Sequence, residues 1–195
     1  MTLKKALMAA AVTLVAFTPS GASAETIGFS VPSLANSFWV SATYGVQKAA
    51  DAAGVELVIV DAGGDANTVQ QLSQIQDLIQ RGVEAMIVGA TNGESVAPVV
   101  EQALAAGIKV VGLSSLPANK DLSATVGADH YDMGKLQAEC LGSAIGGKGE
   151  VAMMAGPQGQ FWSDRRADGF RETIAAEYPD ITIVAESRLA DNRND

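Results

Sequence analysis

The sequence predicts an α/β protein: doubly wound parallel sheets in two lobes, the second only partly present. Three observations predict it. Short runs rich in Val, Ile and Met alternate with helical patterns along nearly the whole length. Most of those runs are continuously apolar, as strands covered on both faces require. Regular strand–helix alternation is the pattern of a parallel sheet flanked by helices. In such sheets small molecules lie beyond the carboxyl ends of the strands.

Taken in order, residues 1–24 read as a signal peptide. Lys4 and Lys5 give a positive start, 6–17 is an apolar run too short to span a bilayer, and Ala22-Ser23-Ala24 is a small-residue cleavage site. The mature chain is expected to start at Glu25, to be exported to the periplasm, and not to span the membrane itself. Strands are expected at 26–31, 56–60, 85–89, 109–113, 124–127, 150–154 and 182–185. Between the first two, Trp39, Ala42, Val46, Ala49 and Ala53 keep the spacing of one helical face, and Gly54 stops it. Val69, Leu72, Ile75 and Ile79 do the same before Gly82. Ser95 is expected to cap a third helix with Pro98 in its first turn, where a missing N–H costs little, and Gly107 to end it. Two further helices are expected over about 131–145 and 163–178.

A polar turn at 117–121 and the glycine run at 146–149 are the flexible points. Residues 25–117 therefore read as an N-terminal lobe, 118–148 as a crossover with a hinge-proximal helix, and 149–195 as the start of a C-terminal lobe. Two strands are too few for a self-sufficient sheet, so the second lobe is expected to be truncated.

The formal charge is −9, and removing Lys4 and Lys5 makes the remainder more acidic. Such a surface repels nucleic acid and anionic membranes. The single cysteine, Cys140, excludes an internal disulfide framework. It shares a stripe with Met133, Leu136, Leu141 and Ala144 and is expected to be buried. One histidine cannot build a His-based zinc site, and no metal or cofactor is expected.

Enzyme signatures are missing or broken. No G-x-G-x-x-G follows the first strand, and no G-x-S-x-G occurs. Residues 142–149 approach a P-loop but place Gly149 where Ser or Thr belongs, and they follow a helix instead of a strand. His130 with Asp129 or Asp132 is a formal acid–base arrangement that no second feature supports. The chain is expected not to be an enzyme.

What remains is a set of strand-end loops. They carry Ser33, Asn36, Phe38 and Trp39; Asp61 and Asp65; Thr91 and Asn92; Ser114 and Ser115; and 158–162 with Asp191 and Asn192. These side chains hydrogen-bond or stack on a small polar solute, and aromatic faces suit sugar rings or cationic head groups. Trp39 also begins an apolar stripe, so core burial and ligand contact stay open for it. Asp61 and Asp65 also suit turn formation and helix capping. Phe161-Trp162, expected in a strand–helix loop, should meet ligand or the opposing lobe. The charged run at 164–172 reads as a solvated helix face, with Asp164 and Arg166 within reach of the cleft.

The ordered set ANSFW, DAGGDANTVQQLSQIQDLIQRGVEAMIVG, VGADHYDMG and GPQGQFWSDRRADGF resembles type I periplasmic solute-binding proteins of the ribose- and galactose-binding group. The resemblance implies two α/β lobes that close around a ligand. The family's cleft Asn-x-Phe-Phe is similar to Asn36, Phe38 and Trp39. Its sugar-gripping Asp-Arg pair falls on Ser114 and Ser115, a ligand Asn at the hinge on His130, and a ligand Arg near Asp164. Within the family, PSLANSFWVSATYGVQ, DAGG and VGADHYDMG resemble the periplasmic trimethylamine-N-oxide sensors that partner a histidine kinase. That branch implies an aromatic box, for which Trp39, Tyr44 or Tyr131, and Trp162 are available. The resemblance thus implies capture of a small, sugar-like solute for an ABC permease in the inner membrane. The alternative it implies is a ligand sensor docking on a histidine kinase.

Overall fold

The computed structural model describes residues 25–189. Residues 1–24, where a signal peptide is expected, and Asn192 lie outside the described residues. Strand β1 (Thr26–Val31) leads to α1 (Ser37–Ala53), β2 (Glu56–Asp61), α2 (Thr68–Arg81), β3 (Ala85–Val88), α3 (Gly93–Ala105) and β4 (Lys109–Leu113). Then follow β5 (Ala124–Val126), α4 (His130–Ala144), β6 (Lys148–Met154), α5 (Phe161–Glu177) and β7 (Asp180–Ser187).

The first five strands form one parallel sheet in the order β2-β1-β3-β4-β5. Strands β6 and β7 pair in parallel in a second sheet. The order of the first sheet reverses at β1, whose neighbours are β2 and β3, so a crevice opens past the ends of β1 and β3. Strand β5 joins this sheet from within 118–148, while α4 from the same segment packs on α5 and the second sheet.

Most of the first sheet is covered on both faces. Ile75 and Leu78 of α2, Val96 and Val100 of α3, and Met86, Val88 and Val110 of the strands form one buried cluster. Phe29, Val31 and Trp39 form another with Ile59 and Leu113. Gly54 and Gly82 end α1 and α2 in the left-handed conformation, as their spacing predicts.

Several expectations are corrected. The buried face of α1 runs through Trp39 and Ala50, with Ala42 and Val46 half-buried; Ala49 and Ala53 are exposed. On α2, Val69 is 81% exposed and the polar Gln71 is buried in its place. Asn92, not Ser95, caps α3, its Oδ1 accepting from the Ser95 N–H at 2.9 Å. Pro98 therefore lies in the second turn of α3, beyond the free N–H groups of the first.

The largest correction concerns α4. Cys140 is exposed, as are Met133, Leu136 and Ala144, and only Leu141 of the expected stripe packs on the core. The buried face is Gly134, Ala138 and Gly142, beginning at His130. A Cβ on Gly134 would fall 2.0 Å from the Arg166 carbonyl oxygen, and one on Gly169 of α5 would fall 2.2 Å from the Tyr131 carbonyl. The two helices thus meet backbone to backbone. Small residues select that face because only they permit such an approach, which outweighs the larger area the apolar stripe would bury.

Candidate functional site

A cavity of about 600 Å³ opens past the carboxyl ends of β1 and β4 and is shared by both lobes. The first sheet and its loops supply Pro32, Asn36, Phe38, Trp39, Asp65, Ser114 and Ser115. From α4 and α5 come His130, Met133, Trp162 and Arg166. Leu113 and residues 126–128 complete the wall. A second cavity of about 660 Å³ lies on the β6 side of α5 and shares Trp162 and Arg166 with the first. Its walls are otherwise mostly the apolar and small residues of the second lobe, and none of the strand-end loops of the first sheet reaches it.

The α1 side is built from the turn upward. Asp61 Oδ1 accepts from the Leu34 and Gly63 N–H groups at 3.2 and 2.8 Å and fixes the β1–α1 turn against the β2–α2 turn. Asn36 caps α1 through the Phe38 N–H at 2.8 Å. The helix therefore starts by placing Phe38 and Trp39 at the cavity, ring edge to ring face, with centroids 5.2 Å apart. Trp39 resolves its two readings by satisfying both: it is 6% exposed, packs on Phe29 and Val31, and lines the cavity. Its indole covers the end of β3, where a Cβ on Gly89 would come within 2.1 Å of the ring.

Beneath this layer Gln71 spans the switch point. Its Nε2 donates to the Gly89 carbonyl (2.7 Å) and Ser30 Oγ (3.0 Å), and its Oε1 accepts from the Thr91 N–H (2.7 Å). A buried amide so placed answers backbone groups that the parting strands leave unpaired. Ser114, at the end of β4, has a φ of 59° although it is not glycine. Such a conformation is maintained only by surrounding contacts, and it concentrates at ligand sites. Its N–H donates to the Val126 carbonyl at 2.7 Å, and Gly127 packs against its Cα.

The α5 side departs from expectation. Phe161 and Trp162 are the first residues of the helix, not loop residues. Four residues after Trp162, Arg166 therefore shares its face. The guanidinium carbon lies 5.3 Å from the Trp162 ring centroid, and Nε donates to His130 Nδ1 at 3.3 Å. An accepting Nδ1 puts the proton of the neutral ring on Nε2. Burial, and secondarily the Arg166 charge, hold the His130 pKa below its ordinary 6.5, against weaker opposing effects of the Ser114 carbonyl and Asp129. Although the Ser114 carbonyl favours the protonated ring, among the described residues no hydrogen bond of ordinary geometry reaches His130 Nε2, and Ser115 Oγ is likewise buried without a partner.

Of the residues expected at the site, Asn36, Phe38, Trp39, Ser114, Ser115, His130 and Trp162 come together at the cavity. Ser33, Tyr131 and Asp164 lie outside its lining. Ser33 Oγ accepts from the Ala35 N–H and shapes the turn. The Tyr131 hydroxyl donates to Glu172, with Arg165 against its ring, and that hydrogen bond raises its pKa. Asp164 accepts from the Gly159 N–H and pairs with Arg188. Tyr44 is exposed on α1 and does not line the cavity. Arg166 and Asp65, which the sequence singled out less sharply, do line it. For Arg166 the i, i+4 spacing to Trp162 was the available signal.

The lobes also touch beside the cavity. Asn92 Nδ2 donates to the Gly159 carbonyl at 2.9 Å, and Gln160 Nε2 donates to the Thr91 carbonyl. Among the described residues no helix is long and apolar enough to cross a membrane, and no cluster of His, Cys, Asp or Glu could hold a metal ion.

Comparison with known proteins places this geometry. A family profile described as "Periplasmic binding protein domain" matches residues 27–195. The ribose import binding protein RbsB of Bacillus subtilis is 33% identical over 145 residues, covering 74% of this chain and 47% of the relative. The periplasmic protein TorT of Escherichia coli is 32% identical over 162 residues, covering 83% and 46%. Among solved structures, the fructose-binding periplasmic domain of a hybrid two-component system superposes with a TM-score of 0.78 at 26% identity, covering 84% of this chain and 53% of that one. The chain spans about half the length of these curated relatives.

Proposed function

The chain belongs to the periplasmic binding protein domain family, and from that premise we propose that it captures a small polar, sugar-like solute between its lobes. The protein then presents the solute to an ABC permease in the inner membrane, after export directed by residues 1–24. The observation that carries this reading is convergence. Both tryptophans of the chain, Trp39 and Trp162, arise from different lobes and line one cavity.

Residues 25–117 serve as one lobe, 149 onward as the beginning of the other, and 118–148 as the crossover between them. The aromatic rings stack on the solute, while Asn36, Ser114, Ser115 and His130 hydrogen-bond its polar edge. Because the solute touches both lobes, it favours the closed arrangement through contacts that an open one lacks. Membrane partners recognise that difference. No bond in the solute is made or broken. Relatives named as binding proteins support this, as does His130, whose Nδ1 is occupied by Arg166 and so is unavailable as a general base.

Tryptophan fluorescence tests the proposal directly, since both reporters sit at the site. Titration with sugars and polyols should give a saturable change that Trp39→Phe and Trp162→Phe each diminish. A saturable change that survives both substitutions would place the solute elsewhere.

A sensor role docking on a histidine kinase is the second reading. The similarity to TorT and to a two-component periplasmic domain favours it. It predicts ligand-dependent binding to a kinase periplasmic domain. A sugar response with none to methylamines would end the methylamine form of that reading.

A further inference from the structure

We propose that the solute carries a carboxylate beside its hydroxyls, a sugar acid or related hydroxy acid, and that Arg166 grips that carboxylate. The proposal rests on the cleft reading above and narrows it to one substrate class.

The arginines around α5 differ in how their charges are answered. Arg171 pairs with Asp168 and Glu186, and Arg188 with Asp164 and Glu186. Arg165 lies over the exposed Tyr131 ring. Arg166 lines the cavity, and among the described residues no carboxylate lies within ion-pair distance of it. Its neighbours instead orient it. Trp162 covers one face of the guanidinium, and His130 Nδ1 takes the Nε proton. The four remaining N–H donors of the two terminal nitrogens form the fork that matches a carboxylate.

Two further features agree. After burial, the charge of Arg166 is the larger cause that depresses the His130 pKa, so the two side chains are electrostatically close. Among the described residues Ser115 Oγ is buried without a hydrogen-bond partner, and the buried His130 Nε2, with its proton, has only the Ser114 carbonyl nearby at less than ordinary geometry. A half-buried cation held by a ring and an imidazole, with no carboxylate at ion-pair distance among the described residues, suits an anionic ligand. The aromatic rings Phe38 and Trp39 enter the cavity from the first lobe. They suit the hydroxyl-bearing body of the solute.

The test is a calorimetric titration of the full-length protein with D-galacturonate, D-gluconate, D-galactose and trimethylamine. At least one of the two acids should bind tighter than galactose. Arg166→Gln should weaken that acid roughly ten- to hundredfold, the range of a charge-assisted hydrogen bond, and weaken galactose by a clearly smaller factor. Arg166→Lys, which keeps the charge without the fork, should fall between. A thermal melt of each variant separates loss of binding from loss of folding. Galactose or trimethylamine binding tighter than both acids overturns the carboxylate while leaving the cleft reading intact. So does equal loss for acid and neutral sugar in Arg166→Gln. If none of the four probes binds, the carboxylate proposal fails, and a neutral-sugar and polyol fluorescence screen then decides whether the cleft reading falls with it.

Discussion

The two lobes build their shares of the cavity by different means. The first sets its residues at the ends of strands in a five-stranded sheet, over a core of fully buried Phe29, Ile75, Leu78 and Val100. The second, together with the crossover helix, sets them on the opening turns of α5 and α4, which lie against each other through Gly134 and Gly169 and rest on a two-stranded sheet. Its core is smaller, centred on Met153, Phe170, Ile174 and Ile181. Met154 is 90% exposed and Val184 54%. The difference teaches that a strand-end site derives its rigidity from the sheet beneath it, whereas a helix-end site derives it from one helix–helix contact.

That contrast can be broken by substitution, and the largest effect is expected at Trp39. Trp39→Ala removes a ring that belongs to both core and cavity, so it should cost about 3–5 kcal/mol of stability as well as binding. Urea unfolding measures it, and a loss below about 1 kcal/mol would show that the ring is not integral to the first lobe. Gly134→Val comes next. Its side chain would be driven into the Arg166 carbonyl, so α4 and α5 must separate at a cost of about 1–3 kcal/mol or more. Affinity should fall with stability here, because Arg166 and His130 move apart, and crosslinking or a structure of the variant would reveal the shift.

Gln71→Ala probes the first lobe without touching the cavity wall. It strands the Gly89 carbonyl and the Thr91 N–H, each buried, at about 1–3 kcal/mol by denaturant titration. A neutral outcome would mean that water replaces the amide.

A smaller effect concerns pH. The unfolded His130 takes up a proton near its ordinary pKa of 6.5, while the folded ring resists until lower pH. Between those values the unfolded chain binds more protons, so stability falls as pH descends from 6.5 and is indifferent to this group above it. Comparing wild type with His130→Asn at about pH 7.5 and about pH 5 isolates the contribution. An unchanged pH dependence in the variant would assign the effect to other groups. The smallest change is expected at Val184→Ala, under about 0.5 kcal/mol, because the side chain is largely in water already. A cost of several kcal/mol would show that this face is covered.

Much of the fold was legible because its signals are local. Short runs, most of them near-continuously apolar, mark the seven strands of the described residues, and Gly54, Gly82 and Gly107 mark helix ends whose left-handed backbone favours that residue. The site was legible where it follows from strand ends: Asn36, Phe38, Trp39, Ser114 and Ser115 all stand past the strands that predicted them. It was less legible on the second lobe. Phe161 and Trp162 carry no local helix signal because α5 begins without a capping side chain to announce it, and the partnership of Trp162 with Arg166 follows only from the true helix start.

Two decisions required tertiary structure. The face α4 buries was one: hydropathy ranks Met133, Leu136 and Cys140 above Gly134, Ala138 and Gly142, but the distance between two helix backbones selects the smaller residues. The fate of each polar side chain was the other. Gln71 is buried and Val69 exposed because parting strands leave amide groups that only a nearby carboxamide can answer. The sequence by itself determined the strands, the helices and the end of the sheet at which a solute would lie, since these depend on neighbours along the chain. Which helix faces meet, and which side chains line the cavity together, depend on atoms distant in sequence, and folding alone brought them together.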